Sequence, residues 1–512
     1  ARYLGTRPFI LKQPLRAFSL LEWAIAGWAL LLLLLFPVLN TPIKALYAVL
    51  PDHPFFANTL RVLVPFLLLI PPTVFMGATL PCLATFLTGR SGSFAQRLSW
   101  LYGLNTLGAV FGVFASGFLL IPRFGVSGST FIAMACNVAV ALFALVLARR
   151  QAGETSAEPE RETGEDAIGR SRAWGIFLIA GVSSLLALFM EIVWFRSLIL
   201  IFGSTTYSFS AMLTIFLLGT ALGPLIFSRF LGRVRHPARV MSVVIGLCGL
   251  FFLLTQHGFI QLPEQFLGAM RRSDFTWRAF IVQKFLLSAA IMLPATCLLS
   301  LNFILCAQWA RDEGLRNAGS VGRVYLANTL GGVLGSLLAG FVFIPWVGLQ
   351  KAYLIGGCFG MAVAGLLALI AAGDRRPFRI AIPVAAVAIM GLSLKSYTPW
   401  DYTEFSVGAY FKMKKDNPEA HRGPQRKSYP VLDRKVIYSK AGSTATAAVT
   451  RFSDGLYSFS MDGKIEADTS LHGLTNQRMV GHLAMLFHPA PRKALNIGLG
   501  AGMSLGALGT HD

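Results

Sequence analysis

The sequence predicts a polytopic α-helical membrane protein made of two parallel internal repeats, followed by a C-terminal α/β domain. Three observations predict it: apolar runs recurring from Leu20 to Leu394, a motif repeated at a fixed offset, and an abrupt change of composition near Ser396. A mean hydropathy of +0.61 with only 13% charged residues lies outside the range of soluble globular chains. About 20 consecutive apolar residues suffice for a helix to cross a ~30 Å hydrocarbon core.

Eleven spans can be drawn, at about 18–39, 60–88, 100–121, 127–148, 174–200, 206–230, 239–258, 279–308, 324–345, 351–372 and 379–395. Between the fourth and fifth lies RRQAGETSAEPERETGEDAIGRSR, polar and without apolar periodicity, which reads as a flexible linker. The segment YGLNTLGAVFGVFASGFLLIPRFGV from Tyr102 matches YLANTLGGVLGSLLAGFVFIPWVGL from Tyr325, at a constant offset of 223 residues. A match of that length is expected of an internal duplication. Glycines and alanines three or four residues apart in each copy suit close helix packing in lipid. The expected organisation is a first membrane repeat (1–148), a cytoplasmic linker (149–172), a second repeat (173–372), a final transmembrane helix (373–395) and a soluble domain (396–512). The first half shows four spans and the second six before the last, so the first is expected to lack its opening pair. An even number of spans per half gives both copies one orientation. The chain begins Ala-Arg and stops soon after a glycine-rich turn, so a portion of a longer protein is expected.

The formal charge of +21 does not point to nucleic acid, because the arginines fall in short loops between spans. Arg90 and Arg97, the 149–172 linker, Arg229 to Arg239, Arg311 to Arg323 and Arg375 to Arg379 mark alternate loops as cytoplasmic. If IAIPVAAVAIMGLSL (380–394) crosses, everything after Lys395 lies on the outer side. All six cysteines fall in spans without CxxC spacing, so neither a metal site nor a disulfide framework is expected.

Polar residues inside spans are the candidate membrane site. Glu191 and Arg196 in LFMEIVWFRSL would cost ~2.5–3.5 kcal/mol each if ionised at mid-depth, so each faces a partner or a wet cavity, or Arg196 snorkels to the interface. Asn105 and Asn328 are equivalent across the repeat; they either ligate a solute or make interhelical hydrogen bonds worth ~0.6 kcal/mol. Pro71-Pro72, Pro81 and Pro294 interrupt spans, which suits either a solute path or ordinary membrane helices.

The last domain alternates apolar and polar residues through RKVIYSKAGSTATAAVTRFSDGLYSFSMDGKIEA, punctuated by Asp454-Gly455 and Asp462-Gly463. Asp-Gly favours the positive backbone angles of hairpin turns, so a small antiparallel sheet is predicted. LTNQRMVGHLAMLFH follows at helical spacing, then RKALNIGLGAGMSLGALG, read as a strand, a glycine turn and a helix: the start of a Rossmann-like fold. His482 and His488 have no nucleophile nearby in sequence, and no catalytic residue can be named.

The order hairpin sheet, MDGKIEA, amphipathic helix, HPAPRKALNIGLGAG is similar to the spermidine synthase (polyamine aminopropyltransferase) family. With MEIVWFRSLILIFGST and the duplicated NTLGxxxG, nearly the whole chain resembles bacterial proteins that fuse a major-facilitator-like membrane region to a spermidine-synthase-like domain. The resemblance implies that Gly498, Gly500 and Gly502 approach the nucleoside of S-adenosylmethionine or its decarboxylated form, with Asp462 and Gly463 as the DG turn. The departures are chemical. Ala501 stands for the acid of the family's glycine loop, Glu466 for a glutamine and Leu471-His472 for an acidic pair, while Asn476, Gln477 and Arg478 occupy the place of a glutamate. Aminopropyl transfer needs carboxylates to bind and deprotonate an amine. Three functions are therefore expected, in this order: a bacterial inner-membrane subunit or scaffold with a degenerate, periplasmic domain; a membrane-bound adenosyl-dependent transferase; and an amine or polyamine carrier. The expected partners are the lipid bilayer and other membrane subunits, with no nucleic acid and no metal.

Overall fold

The computed structural model describes residues 13–49, 54–87, 94–151, 170–273, 276–314, 318–371, 376–406 and 434–511. Most of the predicted linker, with Arg90, Arg316 and Arg375, lies outside them. The chain forms α1 (Pro14–Val49), α2 (Pro54–Leu87), α3 (Phe94–Ala115), a π-helical turn (Ser116–Leu120), α4 (Ile121–Gln151), α5 (Arg170–Phe202), α6 (Thr206–Leu231) and α7 (Pro237–Gly258). After a short 3₁₀ turn come α8 (Leu262–Arg271), α9 (Trp277–Leu299), α10 (Leu301–Asp312) and α11 (Ala318–Leu337), then a second π-helical turn (Leu338–Phe343). The remaining helices before the sheet are α12 (Ile344–Val347), α13 (Leu349–Ala371), α14 (Arg376–Lys395) and α15 (Thr403–Ser406).

Ten helical runs among the described residues are long and apolar enough to cross a membrane. One of them, Phe94–Arg150, has 57 residues. At 1.5 Å per residue it would measure about 85 Å, far more than one crossing requires. Gly125, at φ 67° and ψ −177°, breaks it into two arms. The predicted spans 100–121 and 127–148 are those arms.

Backbone features recur at the offset seen in the sequence. Pro14 and Pro237 start α1 and α7, and Pro54 and Trp277 start α2 and α9, each pair 223 residues apart. The two π-helical turns both end at an Ile-Pro pair, Ile121-Pro122 and Ile344-Pro345. Gly125 (φ 67°) and Gly348 (φ 83°) follow, again at the same offset.

The chain divides into two compact units. The first comprises Ala1–Leu185, Leu217–Val244 and Thr296–Gly332. In it Ser19 Oγ donates to the Ala141 carbonyl (2.8 Å) and Trp28 Nε1 to that of Leu68 (2.9 Å). Phe303 lies between Tyr102 and Tyr325, with ring centroids at 5.4 and 5.8 Å. A Cβ at Gly331 would land on the carbonyl of Gly181, so α5 and α11 meet backbone to backbone.

The second unit comprises Leu186–Phe216, Ile245–Ala295 and Val333–Asp512. Here α7 and α13 cross at Gly249, Gly357 and Gly360, and Phe252 packs on Tyr353 with centroids 4.5 Å apart. The same unit carries the sheet, β1 (Arg434–Ala441), β2 (Thr446–Phe452), β3 (Tyr457–Met461) and β4 (Lys464–Asp468), antiparallel in the order β1-β2-β3-β4. Asp462 (φ 49°) and Gly463 (φ 75°) turn β3 into β4 with two consecutive positive angles, as a tight hairpin requires. Thr446, Ala448 and Thr450 of β2 and Ser458 and Ser460 of β3 form the buried face. Helix α16 (Leu471–Leu486) follows, capped by Ser470, whose Oγ accepts from Gly473 N at 3.1 Å.

The predicted strand in KALNIG is not formed. Residues 491–499 pair with no strand, and Leu495 and Ile497 are 85% and 91% exposed. A strand buried on both faces needs neighbours on both edges, and the described residues supply none. Helix α17 (Met503–Leu508) does follow the glycine turn.

Candidate functional site

The residues that carry the most specific geometry gather where the helices of the second unit meet the sheet. Helix α14 ends at Lys395, and the chain then folds back over the ends of α7 and α13. Trp400 Nε1 donates to the Gln256 carbonyl (3.0 Å) and Trp400 N to Gln350 Oε1 (2.8 Å), while Gln350 Nε2 donates to the Thr398 carbonyl (2.6 Å). His257 Nε2 lies 3.0 Å from Ser396 Oγ. The indole stacks on Phe259 with centroids 4.8 Å apart, and Phe405 of α15 closes the stack at 5.4 Å from Phe259. Polar tips pair at the helix ends while the rings fill the apolar space between them.

Arg196 belongs to this junction. Its Nη2 donates to the Gly442 carbonyl at 2.8 Å and its Nη1 to that of Thr444, so the guanidinium clamps the β1–β2 hairpin to the end of α5. Asp462 lies near enough to act on that positive charge, and its Oδ1 accepts from Thr446 N at 2.8 Å. Of the two readings of Arg196, the partner is a pair of backbone carbonyls outside the helix. Arg196→Gln is expected to free the hairpin: hydrogen exchange over residues 441–446 should rise about tenfold, the equivalent of ~1.4 kcal/mol, with the helices unchanged. Unaltered exchange would show that the clamp contributes nothing.

Two groups of the junction titrate unusually. Hydrogen bonds from Thr403, aided by the charge of Arg434, hold the Asp401 carboxyl below the usual carboxylate range. Burial first, and Tyr397 second, push the Tyr402 phenol up to about 12. An unfolded tyrosine ionises near ~10, so the folded chain holds its proton longer. The stability from burying the neutral phenol is therefore whole below pH ~10 and is lost between ~10 and 12. Tyr402→Phe should flatten that alkaline fall in an unfolding titration; an identical fall would place the phenol in water.

The other polar residues predicted within spans sit apart. Glu191 is 8% exposed, and its carboxyl has no hydrogen-bond partner among the described residues. Asn105 is exposed and Asn328 half-buried in the first unit, and neither amide makes a hydrogen bond among the described residues. Glu191 and Arg196 belong to the second unit. Lys284 was not singled out by the sequence reading, although it is a lone cation in the apolar run of α9. It is 1% exposed, its Nζ donates to Ser208 Oγ at 2.8 Å and lies 4.0 Å from the centroid of Phe280.

The candidate cofactor residues fall in two places. Asp462 and Gly463 face the end of α5, where Gly463 joins Leu200, Tyr402 and Thr446 in lining a shallow cleft with room for little more than a water molecule. Gly498, Gly500 and Gly502 all have positive φ (89°, 52° and 75°) and form the bend before α17. No hydrogen bond joins the two groups among the described residues. His482 Nδ1 lies 2.9 Å from His511 Nε2, and Glu466 pairs with Lys464 at 2.9 Å. No group of three or more metal-ligating side chains occurs among the described residues. No protein-family model, curated protein or solved structure matches the chain.

Proposed function

We propose that this chain is a bacterial inner-membrane subunit, built on two parallel copies of a helical unit, with a spermidine-synthase-like head that serves as a fixed docking element rather than as a transferase. The observation that carries this reading is the use made of Asp462. It is the one carboxylate of the candidate cofactor set, and it is spent on the Thr446 N–H and on facing Arg196. An acid with one oxygen bound to the sheet backbone and its charge turned to Arg196 suits an anchor better than a base for an amine. The exposed helix face Met479, Val480, Leu483, Leu486 and Phe487 is what a docking surface needs and a polyamine cradle does not.

Orientation supports the same reading. Trp400 bonds to Gln256 and Gln350, and His257 to Ser396, so the ends of α7 and α14 and the start of α13 share one face. Arg239 and Arg379 lie at the opposite ends of α7 and α14. By the positive-inside rule the head is periplasmic, where adenosyl cofactors are not ordinarily supplied. Binding of S-adenosylmethionine and of its decarboxylated form to the purified full chain tests the proposal. No saturable binding is expected; binding abolished by Gly500→Val would overturn it in favour of the transferase. An amine carrier is the second reading, favoured by Glu191, whose buried carboxyl lacks a partner among the described residues.

A further inference from the structure

Helix α9 carries a cation that the fold seals from water without giving it an opposite charge. Lys284 is 1% exposed, and its Nζ makes one hydrogen bond, to Ser208 Oγ at 2.8 Å. Among the described residues no carboxylate pairs with it, and two of its three ammonium hydrogens have no acceptor. Its other neighbours are rings, with Nζ 4.0 Å from the centroid of Phe280 and 6.0 Å from that of Phe202. Phe266 of α8 packs on both rings, at 5.7 and 5.8 Å, and closes this end. Ser208 is buried too, in the first turn of α6. Its N–H donates to Thr205 Oγ1 at 3.2 Å, and the two hydroxyls lie 2.8 Å apart. Thr205 is exposed, so the run Thr205, Ser208, Lys284 leads from the surface inward. The first turn of a helix carries roughly half a positive charge. The ammonium is therefore aimed at the end of α6 that repels it.

We propose that Lys284, Ser208 and the first turn of α6 form a binding site for a compact monovalent anion, chloride being the type. An ammonium buried among rings is costly unless an opposite charge and acceptors for its hydrogens accompany it. An anion beside Nζ supplies both, and it makes the dipole of α6 attractive where it now opposes the charge. Ser208, whose oxygen accepts from Lys284, still has a hydroxyl proton to donate to that anion. The enclosure sets the size. Phe202, Phe266 and Phe280 offer no donors to the outer oxygens of a phosphate or a carboxylate, and a spherical ion needs none. The same positive charge excludes an amine. The inference does not rest on the docking role of the head, so the two succeed or fail separately.

The test is thermal unfolding of the purified full chain in detergent, at fixed ionic strength, with chloride exchanged for gluconate. Chloride at about 100 times its dissociation constant is expected to raise the melting temperature by several degrees. Lys284→Met keeps the length of the side chain and removes its charge, and should melt at one temperature in both salts. Ser208→Ala should keep the stabilisation but require roughly tenfold more chloride, having lost one hydrogen bond to a charged group. Identical melting of the parent chain in chloride and gluconate would overturn the proposal. So would chloride stabilisation that survives Lys284→Met, or acetate or phosphate acting in place of chloride, since the site would then be one for oxyanions. Should Lys284→Met fail to accumulate, Ser208→Ala decides, and an unshifted chloride dependence in that variant overturns the proposal.

Discussion

Trp400→Ala is expected to lower the stability of the second unit by about 3–5 kcal/mol, the usual cost of truncating a large buried aromatic side chain to alanine. The indole is only 7% exposed. It stacks on Phe259, abuts Phe405 at 6.0 Å, and gives its N–H to the last turn of α7. Removal leaves a void lined by rings and the Gln256 carbonyl without its donor. The backbone bond to Gln350 survives the substitution, because it uses Trp400 N. Trp400→Phe should therefore recover most of the loss and leave a deficit of ~1 kcal/mol for the missing N–H. Thermal unfolding in detergent, followed by fluorescence and by protease sensitivity of the head, measures both. A Trp400→Ala protein melting like the parent would mean that the junction does not hold the head.

Gly331→Ala should be destabilising even though alanine is favoured over glycine in a helix by ~1 kcal/mol. Its methyl group has no room, since the Gly181 carbonyl occupies the place. Helices α5 and α11 must separate, and overpacking of this kind costs typically ~1–3 kcal/mol, more where backbone rather than a side chain has to yield. Gly108→Ala, at the equivalent place on α3, meets open space and should be neutral or slightly stabilising in the purified chain. Opposite signs at two positions of one sequence motif are the discriminating result. Equal effects would refute the backbone contact between α5 and α11.

Much of the fold was legible because its causes are local or compositional. Apolar runs of sufficient length, Asp-Gly pairs and the hairpin alternation each act within a few residues, and all reappear as helices, turns and strands. Gly125 and Gly348 were legible only as parts of a matched motif; their positive φ could not be inferred from a glycine amid apolar residues. The strand expected in KALNIG failed for a non-local reason, since a strand exists only with a neighbour. The candidate site was read less well. Arg196 was visible as a charge at a span's end, but its partners lie 246 and 248 residues away and are carbonyls, which carry no side-chain signature. Trp400 and Gln350 were not singled out, because their partners lie 50 and 144 residues from Trp400 and nothing in the neighbouring sequence marks them. Lys284 did carry a signal, a single cation in an apolar run, and deserved the weight given to Glu191.

The wide turns at Ser116–Leu120 and Leu338–Phe343 have a geometric consequence. A turn that closes on the fifth rather than the fourth residue holds one residue more than an α-helix of the same rise, which rotates everything beyond it by about 100° around the axis. Side chains ahead of each wide turn and those in the short stretch after it, as far as Gly125 and Gly348, thus address different neighbours. Each turn acts as a phase shifter, letting one helix serve two interfaces that a uniform helix of the same sequence could not satisfy together.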